Sequence, residues 1–277
     1  IPTYYGDEIS YVNGFNYAYN ILKQSLLYKL QKIGIFHNEK YNYVVDLYED
    51  KTNFKSTHSF VIKEIKKNSS VIDMGSSDAH YLKNLKKNKR IYIKTVNKFV
   101  HKKNPMVDEE EIIDLDVNLP SKINKFDYVL LLDVIEHLKN PESFVKKLYF
   151  ELEHNQKIIA TTGNISFIVM RLMLLFGHFN YGNRGILDKT HTRLFTFNTF
   201  KKLFANDYEI IEVKGIPAPF PLAIGNNLMS KALININDIL IRISKSIFSY
   251  QIYLILKPKP SLKKILNETI KYSKSIE

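Results

Sequence analysis

Polar residues interrupt an apolar run at the end of a predicted strand. The segment Phe126–Leu138 is mostly apolar and ends with Asp133, Glu136 and His137. A helix-start signal, an asparagine followed by a proline, comes directly after it at 140–141. A buried parallel strand delivers polar side chains to a ligand cleft at its carboxyl end in this way. The segment therefore predicts the floor of a binding site that contains an imidazole and carboxylates.

Two further predicted strands end in the same manner. Val71–Ala79 predicts a strand that runs into a turn of small residues, in which Gly75 supplies conformational freedom. The following helix offers free N–H groups. Asp114 and Asp116 follow another strand, where a carboxylate can accept from an adenine amino group. Three such strand ends favour a ligand site over the alternative, in which Asp116 and Asp133 only cap turns.

The elements that position these residues alternate between strands and helices. Strands are predicted over residues 70–74, 90–96, 111–115, 128–133, 157–161, 208–214 and 250–256. Helices are predicted over residues 16–33, 79–88, 141–152 and 197–205, with a short one ending at 65. This order predicts an α/β fold in three layers around a mostly parallel sheet. Residues 162–195 are a long insertion of the kind that covers clefts, and residues 216–248 are a helical insertion.

Composition excludes several classes of function. The chain has no cysteine, which excludes disulfides, thiolate zinc sites and a cysteine nucleophile and fits a reducing compartment; no metal site is predicted. No apolar segment reaches the ~18 residues of a membrane span, and the sequence shows no signal-peptide pattern. Residues 165–176 are predicted to form a buried helix over the cleft, with a helix on a membrane surface as the alternative. Because the chain begins at Ile1 without a methionine, we expect it to be part of a longer protein.

The net charge of +12 comes from 40 basic residues, of which 35 are lysines and five are arginines. A nucleic-acid site favours clustered arginines, so nucleic acid is not expected as a partner. A solvated lysine-rich surface is the favoured explanation. Attraction to anionic lipid headgroups or phosphate-bearing substrates stays open.

Several spaced motifs resemble those of class I methyltransferases that use S-adenosylmethionine. The matching order is Val71–Ala79, Asp114, Phe126–Leu138, Thr161–Asn164, Gly182 and Asp188–Thr196. More narrowly, the chain resembles the methyltransferase half of bacterial bifunctional family 2 glycosyltransferase/methyltransferase proteins. Those carry GDVLEHL-like, SVPN-like, GRFDY-like and DRTHLRFFT-like segments, matched here by Asp133–Leu138, Thr161–Asn164, Gly177–Tyr181 and Asp188–Thr196. The segment Ile1–Glu8 resembles the end of the glycosyltransferase half.

The resemblance implies a Rossmann-like three-layer sandwich with a mostly parallel seven-stranded sheet and an antiparallel last strand. Residues 1–50 would be an N-terminal helical arm at the tail of a glycosyltransferase region. Residues 51–257 would be the methyltransferase domain, with the cap insertion at 162–195, and residues 258–277 a C-terminal tail. S-adenosylmethionine is the implied cofactor, and a small-molecule or lipid-linked sugar is the implied acceptor. We expect a cytoplasmic enzyme that makes peripheral contact with the inner membrane face.

The same resemblance assigns roles to individual residues. The cofactor residues are His58, Asp73, Gly75, Ser76, Ser77, Ala79, Asp114, Leu115, Asp133 and Val134. The acceptor residues are Asn164, Tyr181, Asp188 and Arg193. His191 and His137 are the catalytic candidates, because a hydroxyl acceptor needs a base and imidazole titrates near neutral pH. Three alternatives remain open: His137 bonds a backbone carbonyl of the following loop, Arg193 pairs with Asp188, and His58 caps the next helix.

The predicted function is O-methylation of a sugar, glycolipid or envelope precursor. The alternative is an inactive methyltransferase fold that serves as a docking module for a glycosyltransferase. Two departures from the family motivate it: Ser77 and Ala79 replace glycines, and Lys94 or Thr95 stands where the family places a ribose-binding acid. A nicotinamide-dependent oxidoreductase is disfavoured because the sequence has no G-x-G-x-x-G turn.

Overall fold

The computed structural model describes residues 13–32, 37–41, 51–75, 80–100 and 104–260, with a few positions from 262 to 273. Three residues of the predicted cofactor turn, Ser76, Ser77 and Ala79, lie outside the described residues. Most of the predicted C-terminal tail and part of the predicted N-terminal arm lie outside them as well.

The strands of the described chain form one sheet. They are β1 (Ser70–Met74), β2 (Tyr92–Asn97), β3 (Glu109–Ile112), β4 (Tyr128–Leu132), β5 (Lys157–Gly163), β6 (Tyr208–Ile216) and β7 (Gln251–Pro258). Their order is β3-β2-β1-β4-β5-β7-β6. β7 runs antiparallel to β5 and β6, and the other neighbouring pairs are parallel. The predicted Rossmann-like sandwich with an antiparallel last strand is confirmed.

Helices flank both faces of this sheet. They are α1 (Gly14–Lys32), α2 (Thr57–Glu64), α3 (His80–Lys89), α4 (Pro141–Glu151), α5 (Ile168–Leu175), α6 (Phe197–Phe204), α7 (Phe220–Ile224), α8 (Leu228–Ile243) and α9 (Lys245–Phe248). α5 falls within the predicted cap, and α7, α8 and α9 fall within the predicted helical insertion. Of the helices that the structure describes, none is long and apolar enough to cross a lipid bilayer.

The core lies on both sides of the sheet because successive side chains of a strand point to opposite faces. In β1, Val71 packs in the cluster that also contains side chains of α2 and α3, whereas Ile72 packs in the cluster that contains side chains of α4 and α6. Full burial of one such side chain contributes about 1.5–3 kcal/mol. These two apolar layers hold the carboxyl ends of the parallel strands along one edge.

A third, smaller apolar cluster lies under the cap and includes Met170 of α5. Only one side of α5 is buried in it, because Leu175 is 75% exposed and the adjoining Phe176 is 73% exposed. The prediction of a buried helix over the cleft is therefore correct for one face of α5 and wrong for the other.

The strand limits differ most from prediction at β2 and β3. Lys94 in β2 is buried, with 1% of its side chain exposed, and its Nζ lies 2.8 Å from Glu109 Oε1 and 2.6 Å from Glu111 Oε2. β3 thus pairs through Glu109–Ile112 and not through 111–115, because two of its carboxylates have to face this ammonium. Burial favours the neutral amine, but Glu109 and Glu111 outweigh it and raise the pKa of Lys94.

The ion pairs of Lys94 lead to a prediction about stability. Replacing Glu109 and Glu111 together by Gln should lower the free energy of unfolding by about 3 kcal/mol, because a buried ammonium would lose both counter-charges. Urea unfolding followed by circular dichroism measures the change. Adding Lys94→Met to this double variant removes the buried ammonium that has lost its counter-charges, and should restore much of the stability. A double variant as stable as the unmodified protein would contradict the prediction.

Candidate active site

Two adjoining cavities lie at the carboxyl edge of the parallel strands. The sheet-edge cavity, of about 650 Å³, lies against the ends of β1, β2, β3 and β4. The cap cavity, of about 530 Å³, lies between the strand ends and residues 183–191 of the cap. Both volumes are typical of small-molecule sites. Lys51, His58, Asp133 and His137 line both cavities, so two ligands bound there would be neighbours.

The sheet-edge cavity contains every predicted cofactor residue that the structure describes. These are His58, Asp73, Gly75, Asp114, Leu115, Asp133 and Val134. Apolar side chains alternate with carboxylates in its wall, a composition that suits a ligand with both a ring system and hydrogen-bonding groups.

Gly75 follows the end of β1 and lies in the wall of the sheet-edge cavity. Its φ is +76°, a left-handed conformation that favours glycine, and its N–H donates to the carbonyl of Val96 at 2.7 Å. A Cβ added at Gly75 would lie 2.7 Å from Cγ2 of Val134. The glycine is therefore required both by the backbone conformation and by the close approach of Val134.

A buried carboxylate and two stacked rings form the wall beside Gly75. Asp73 is buried and accepts a hydrogen bond of 2.6 Å from the Tyr81 hydroxyl. The Tyr81 ring stacks on His58 with centroids 4.5 Å apart. The predicted alternative that His58 caps its helix is wrong, because Ser56 is the N-cap of α2 and forms a capping box with Ser59.

The end of β2 corrects the prediction for the ribose position. β2 continues to Asn97, and neither Lys94 nor Thr95 lines the sheet-edge cavity. Asn97 is buried, and its amide donates to a carboxylate of β3, that of Glu110, at 3.3 Å. Lys94 therefore does not block a ligand, because its side chain is held by the carboxylates of β3.

The loop after β3 supplies carboxylates to the sheet-edge cavity. Asp114 Oδ2 lies 2.8 Å from the ammonium of Lys98, which lowers the pKa of Asp114. Asp114 Oδ1 also accepts from the N–H of Asp116, and Asp116 in turn accepts from the N–H of Lys139 at 2.8 Å. The alternative that Asp116 only caps a turn is therefore wrong, because Asp114 accepts the turn bond, whereas Asp116 binds the distant Lys139 and lines the cavity.

Asp133 stands between the two cavities in a conformation that few residues adopt. Its φ is +55°, which Asp tolerates better than most residues. Its carboxylate accepts from the Thr161 hydroxyl at 2.8 Å and from the Gln251 amide at 2.6 Å. Gln251 is itself fixed by the Thr57 hydroxyl, which donates to its amide oxygen at 3.0 Å. Three segments of the chain thereby orient one carboxylate.

The two predicted catalytic histidines meet at the cap. Their ring centroids are 4.7 Å apart. His137 lies at the end of β4, with Nδ1 3.3 Å from the backbone carbonyl of Thr190 and 3.1 Å from its hydroxyl. The alternative that His137 contacts a backbone carbonyl is realised, but the carbonyl belongs to the cap and not to the following loop. His137 lines both cavities as well.

His191 has the features of a neutral base. Its Nδ1 lies 3.0 Å from the carbonyl of Ile186, which fixes the tautomer with the proton on Nδ1 and leaves the lone pair on Nε2. Burial lowers the pKa of His191; the Ile186 carbonyl opposes that effect, and the neighbouring His137 adds to it. The imidazole is therefore neutral at physiological pH.

The cap is tied to the end of β4 through one carbonyl group. The carbonyl of Glu136 accepts from the N–H of Thr192 at 2.8 Å, the N–H of Arg193 at 3.2 Å and the Thr192 hydroxyl at 3.1 Å. The Thr192 hydroxyl also lies 2.5 Å from the carbonyl of Leu138. These bonds place His191 beside His137.

Glu136, which the sequence places among the polar residues of the strand end without a role of its own, is a residue of the site. It is 2% exposed and lines the cap cavity. Burial raises its pKa well above the ordinary value, and the charge of Asp133 adds to that effect. The signal was available, because a glutamate inside an apolar strand-end run is seldom buried without a reason. Gln251 was also missed, and nothing in the sequence around it indicates its role.

The predicted acceptor residues divide into one that lines the cap cavity and three that line neither cavity. Asp188 lines the cap cavity and accepts from the N–H and hydroxyl of Thr190 at 2.8 and 2.7 Å. Tyr181 lies at the surface, where its ring packs edge-on against Phe179. Arg193 pairs with Glu142 at 2.8 Å, so the alternative of a pair with Asp188 is wrong.

Asn164 is also corrected, because it stabilises the fold. It is fully buried, and its amide nitrogen donates to the carbonyls of Ser246 and Ser249 at 2.9 and 2.8 Å. Its amide oxygen accepts from the N–H of Ser166 at 3.1 Å. With these three hydrogen bonds formed, Asn164 joins the start of the cap to the segment before β7.

The chain is similar to one protein family and to several solved structures. A family described as a methyltransferase domain matches residues 47–213. No curated protein matches the chain in sequence. A chain of the complex that contains the Haloferax volcanii Trm112 methyltransferase activator has a TM-score of 0.50 and 10% identity, covering 76% of this chain and 92% of that chain. The PH0226 protein of Pyrococcus horikoshii OT3 has a TM-score of 0.48 and 14% identity over 80% and 100%. A SAM-dependent methyltransferase from Archaeoglobus fulgidus has a TM-score of 0.45 and 18% identity over 75% and 97%.

The fold and the sheet-edge cavity define the class I methyltransferase architecture. Because the matching family covers more than half of the 277 residues, the chain belongs to the methyltransferase domain family. It is an S-adenosylmethionine-dependent methyltransferase.

The space beside Gly75 gives a testable expectation for cofactor binding. Gly75→Ala should weaken the binding of S-adenosylhomocysteine at least tenfold, since the new methyl group displaces Val134 in the cavity wall. Isothermal titration calorimetry measures the affinity. Gly177→Ala is the matched control: its φ is +75° and a Cβ there meets no atom within 4 Å, so it carries the same backbone penalty outside the site. Equal affinities for the two variants would disprove the expectation that the cofactor binds beside Gly75 and Val134.

Proposed function

We propose that this enzyme methylates a hydroxyl oxygen of a sugar carried by a glycolipid or related envelope precursor. The observation that carries the proposal is the tautomer of His191, whose Nδ1 is committed to the Ile186 carbonyl and whose Nε2 is left as a base in the cap cavity. A hydroxyl acceptor needs such a base, whereas a carboxylate acceptor does not.

The residues of the sheet-edge cavity fit S-adenosylmethionine. The methyl group that it supplies is carried on a sulfonium and leaves a neutral thioether behind. Gly75 leaves room for close approach, the carboxylates of Asp73 and Asp114 can bind amino and hydroxyl groups, and Leu115 and Val134 offer apolar contact. The inactive docking module is not favoured, because the lysine that motivates it, Lys94, lies outside this cavity.

His191 and Asp188 act on the acceptor from the cap. Nε2 of His191 removes the proton of the acceptor hydroxyl as the oxygen is alkylated, which makes that oxygen the stronger nucleophile. Asp188 lies on the same wall and favours the imidazolium that results, because its charge raises the pKa of His191. Holding the reactants in adjoining cavities supplies much of the remaining rate enhancement.

The acceptor class is supported by the polarity of the cap cavity. Lys55 and Arg184 line it together with carboxylates and histidines, so a phosphorylated sugar meets both hydrogen-bonding groups and positive charge there. Incubation with S-adenosyl-[methyl-³H]methionine and synthetic polyprenyl-diphosphate saccharides tests the proposal. Label in an alkali-stable methyl ether is the expected result. Label in an alkali-labile ester, or no transfer to any saccharide, would refute the acceptor class.

The base role of His191 predicts a particular pH profile. Because burial lowers its pKa below the ordinary histidine value of 6.5, kcat/KM should stay level from neutral pH to below pH 6.5 and fall tenfold per unit below the pKa, where the imidazole becomes protonated. His191→Asn should lower kcat on the order of 100-fold or more and abolish this limb. His178→Asn, which changes an exposed histidine of the cap outside both cavities, is the control. Unchanged kcat in His191→Asn would exclude the role.

We also propose that α5 contacts anionic lipid and that the first fifty residues join a glycosyltransferase region. The exposed Leu175 and Phe176 and the net charge of +12 support the lipid contact. The resemblance of Ile1–Glu8 and exposed apolar side chains on α1, such as that of Leu22, support the second proposal. Copurification with a family 2 glycosyltransferase domain checks it, and no association at micromolar concentration would contradict it.

The lipid contact has its own expected outcome. The double variant Leu175→Asp/Phe176→Asp should bind vesicles of phosphatidylglycerol and phosphatidylethanolamine at least tenfold more weakly in a sedimentation assay, because two apolar side chains no longer enter the lipid. Phe150→Asp replaces an exposed apolar residue of α4 and should bind as the unmodified protein does. Equal loss in both variants would point to net charge and not to α5.

A further inference from the structure

A buried carboxyl in the wall of the cap cavity lacks a complete set of partners. Glu136 Oε1 accepts one long hydrogen bond, 3.4 Å, from the N–H of Gly163. Its Oε2 is buried and has no hydrogen-bond partner in the described part of the chain. Leaving a buried polar atom unpaired destabilises the fold, so its retention calls for a functional explanation.

The surroundings of Glu136 favour its neutral form. Burial raises the pKa of Glu136, the charge of Asp133 raises it further, and the hydrogen bond from Gly163 opposes these effects only in part. A neutral carboxyl has one accepting and one donating oxygen. Because the Gly163 N–H binds Oε1, a proton on this carboxyl belongs on Oε2, the atom without a partner.

Glu136 and His191 reach the cap cavity from segments that are bonded to each other. The carbonyl of Glu136 accepts from the N–H of Thr192, the residue that follows His191. Both side chains line the same cavity, one as a neutral donor and the other as a neutral base. A ligand whose hydroxyl approaches His191 therefore brings its neighbouring atoms towards Glu136.

We propose that Glu136 binds the methyl acceptor by donating a hydrogen bond from Oε2 to an oxygen adjacent to the hydroxyl that His191 deprotonates. The inference rests on the proposed function and narrows it to acceptors with two neighbouring oxygens, as in the vicinal diol of a sugar ring. Glu136 and His191 then have opposite roles: Glu136 donates a hydrogen bond and His191 accepts the proton. A protonated carboxyl cannot remove the proton of the acceptor hydroxyl.

The environment of Glu136 contains several other ionisable groups. They are Asp133 and His137 on its own segment, Asp188 and His191 on the cap, His58 on α2, and Tyr250 before β7. Among them, Asp133 contributes the charge that raises the pKa of Glu136. Diol binding should therefore weaken as pH rises through the pKa of Glu136, since the ionised carboxylate no longer donates.

Two substitutions separate the donor role from a base role. In Glu136→Gln, the amide oxygen can keep the bond to Gly163 and the amide nitrogen takes the place of Oε2 as a donor. In Glu136→Leu, a side chain of similar volume has no donor, and the unpaired atom is gone. Both variants should bind S-adenosylhomocysteine as the unmodified enzyme does, which verifies that the fold is intact.

The test uses trans-cyclohexane-1,2-diol and cyclohexanol as a matched pair of probes, titrated by NMR in the presence of S-adenosylhomocysteine. The unmodified enzyme and Glu136→Gln should bind the diol at least fivefold more tightly than the alcohol, and Glu136→Leu should show no preference. The preference of the unmodified enzyme should fall at alkaline pH, whereas that of Glu136→Gln should not. Binding needs no methyl transfer, so this result is independent of the radiolabel assay that tests the proposed function.

Two outcomes would overturn the inference. The first is an unmodified enzyme without preference for the diol. The second is a Glu136→Gln variant that loses the preference as completely as Glu136→Leu, because that result would require an ionised carboxylate. If a saccharide is methylated, the same order should appear in the KM for that saccharide. The KM of Glu136→Gln should lie within about threefold of that of the unmodified enzyme, and the KM of Glu136→Leu should be at least tenfold higher. If Glu136 were instead the base, both variants would have a lower kcat.

Discussion

The hydrogen bonds between the cap and the carbonyl of Glu136 determine where the two cavities meet. A carbonyl exposed just beyond a strand end must find donors, and here Thr192 and Arg193 supply them. These hydrogen bonds to the Glu136 carbonyl hold the cap against the strand end. As a result, the ring centroids of His191 and His137 are 4.7 Å apart. The acceptor side of the site is thus built on the same strand end that forms the floor of the cofactor side.

The sequence was sufficient to predict the fold and to predict a set of residues that line one cavity. Apolar runs of strand length that end in small or acidic residues indicate where parallel strands stop. The carboxyl ends of parallel strands lie along the same edge of the sheet, whatever the conformation of the connecting loops. For that reason the predicted residues from His58 to Val134 that the structure describes all line one cavity. Residues on the cap were harder to predict, because a loop can turn any of its side chains inward. Asp188 and His191 face the cavity, whereas Tyr181 and Arg193 do not.

Two site features depended on contacts between distant segments and therefore left little trace in the sequence. Gln251 acquires its role only because β7 inserts antiparallel beside β5 and brings an amide to Asp133. Lys94 was predicted at the ribose position of the cavity because it stands where the resembled family places an acid. Its burial follows from the glutamates of an adjacent edge strand, and the register of that strand is not apparent from its own residues.

The chain of hydrogen bonds from Thr57 through Gln251 to Asp133 joins residues separated by up to 194 positions. Contacts of such long range form late, because the cost of closing the intervening chain has to be met before they stabilise anything. During synthesis on the ribosome, the first five strands can pair before β7 has emerged, yet Asp133 would still lack one of its two side-chain donors. The wall between the two cavities is therefore completed by the last strand of the sheet, and a chain that stops before residue 251 would have the first five strands of the Rossmann-like core without the contact of Gln251 with Asp133.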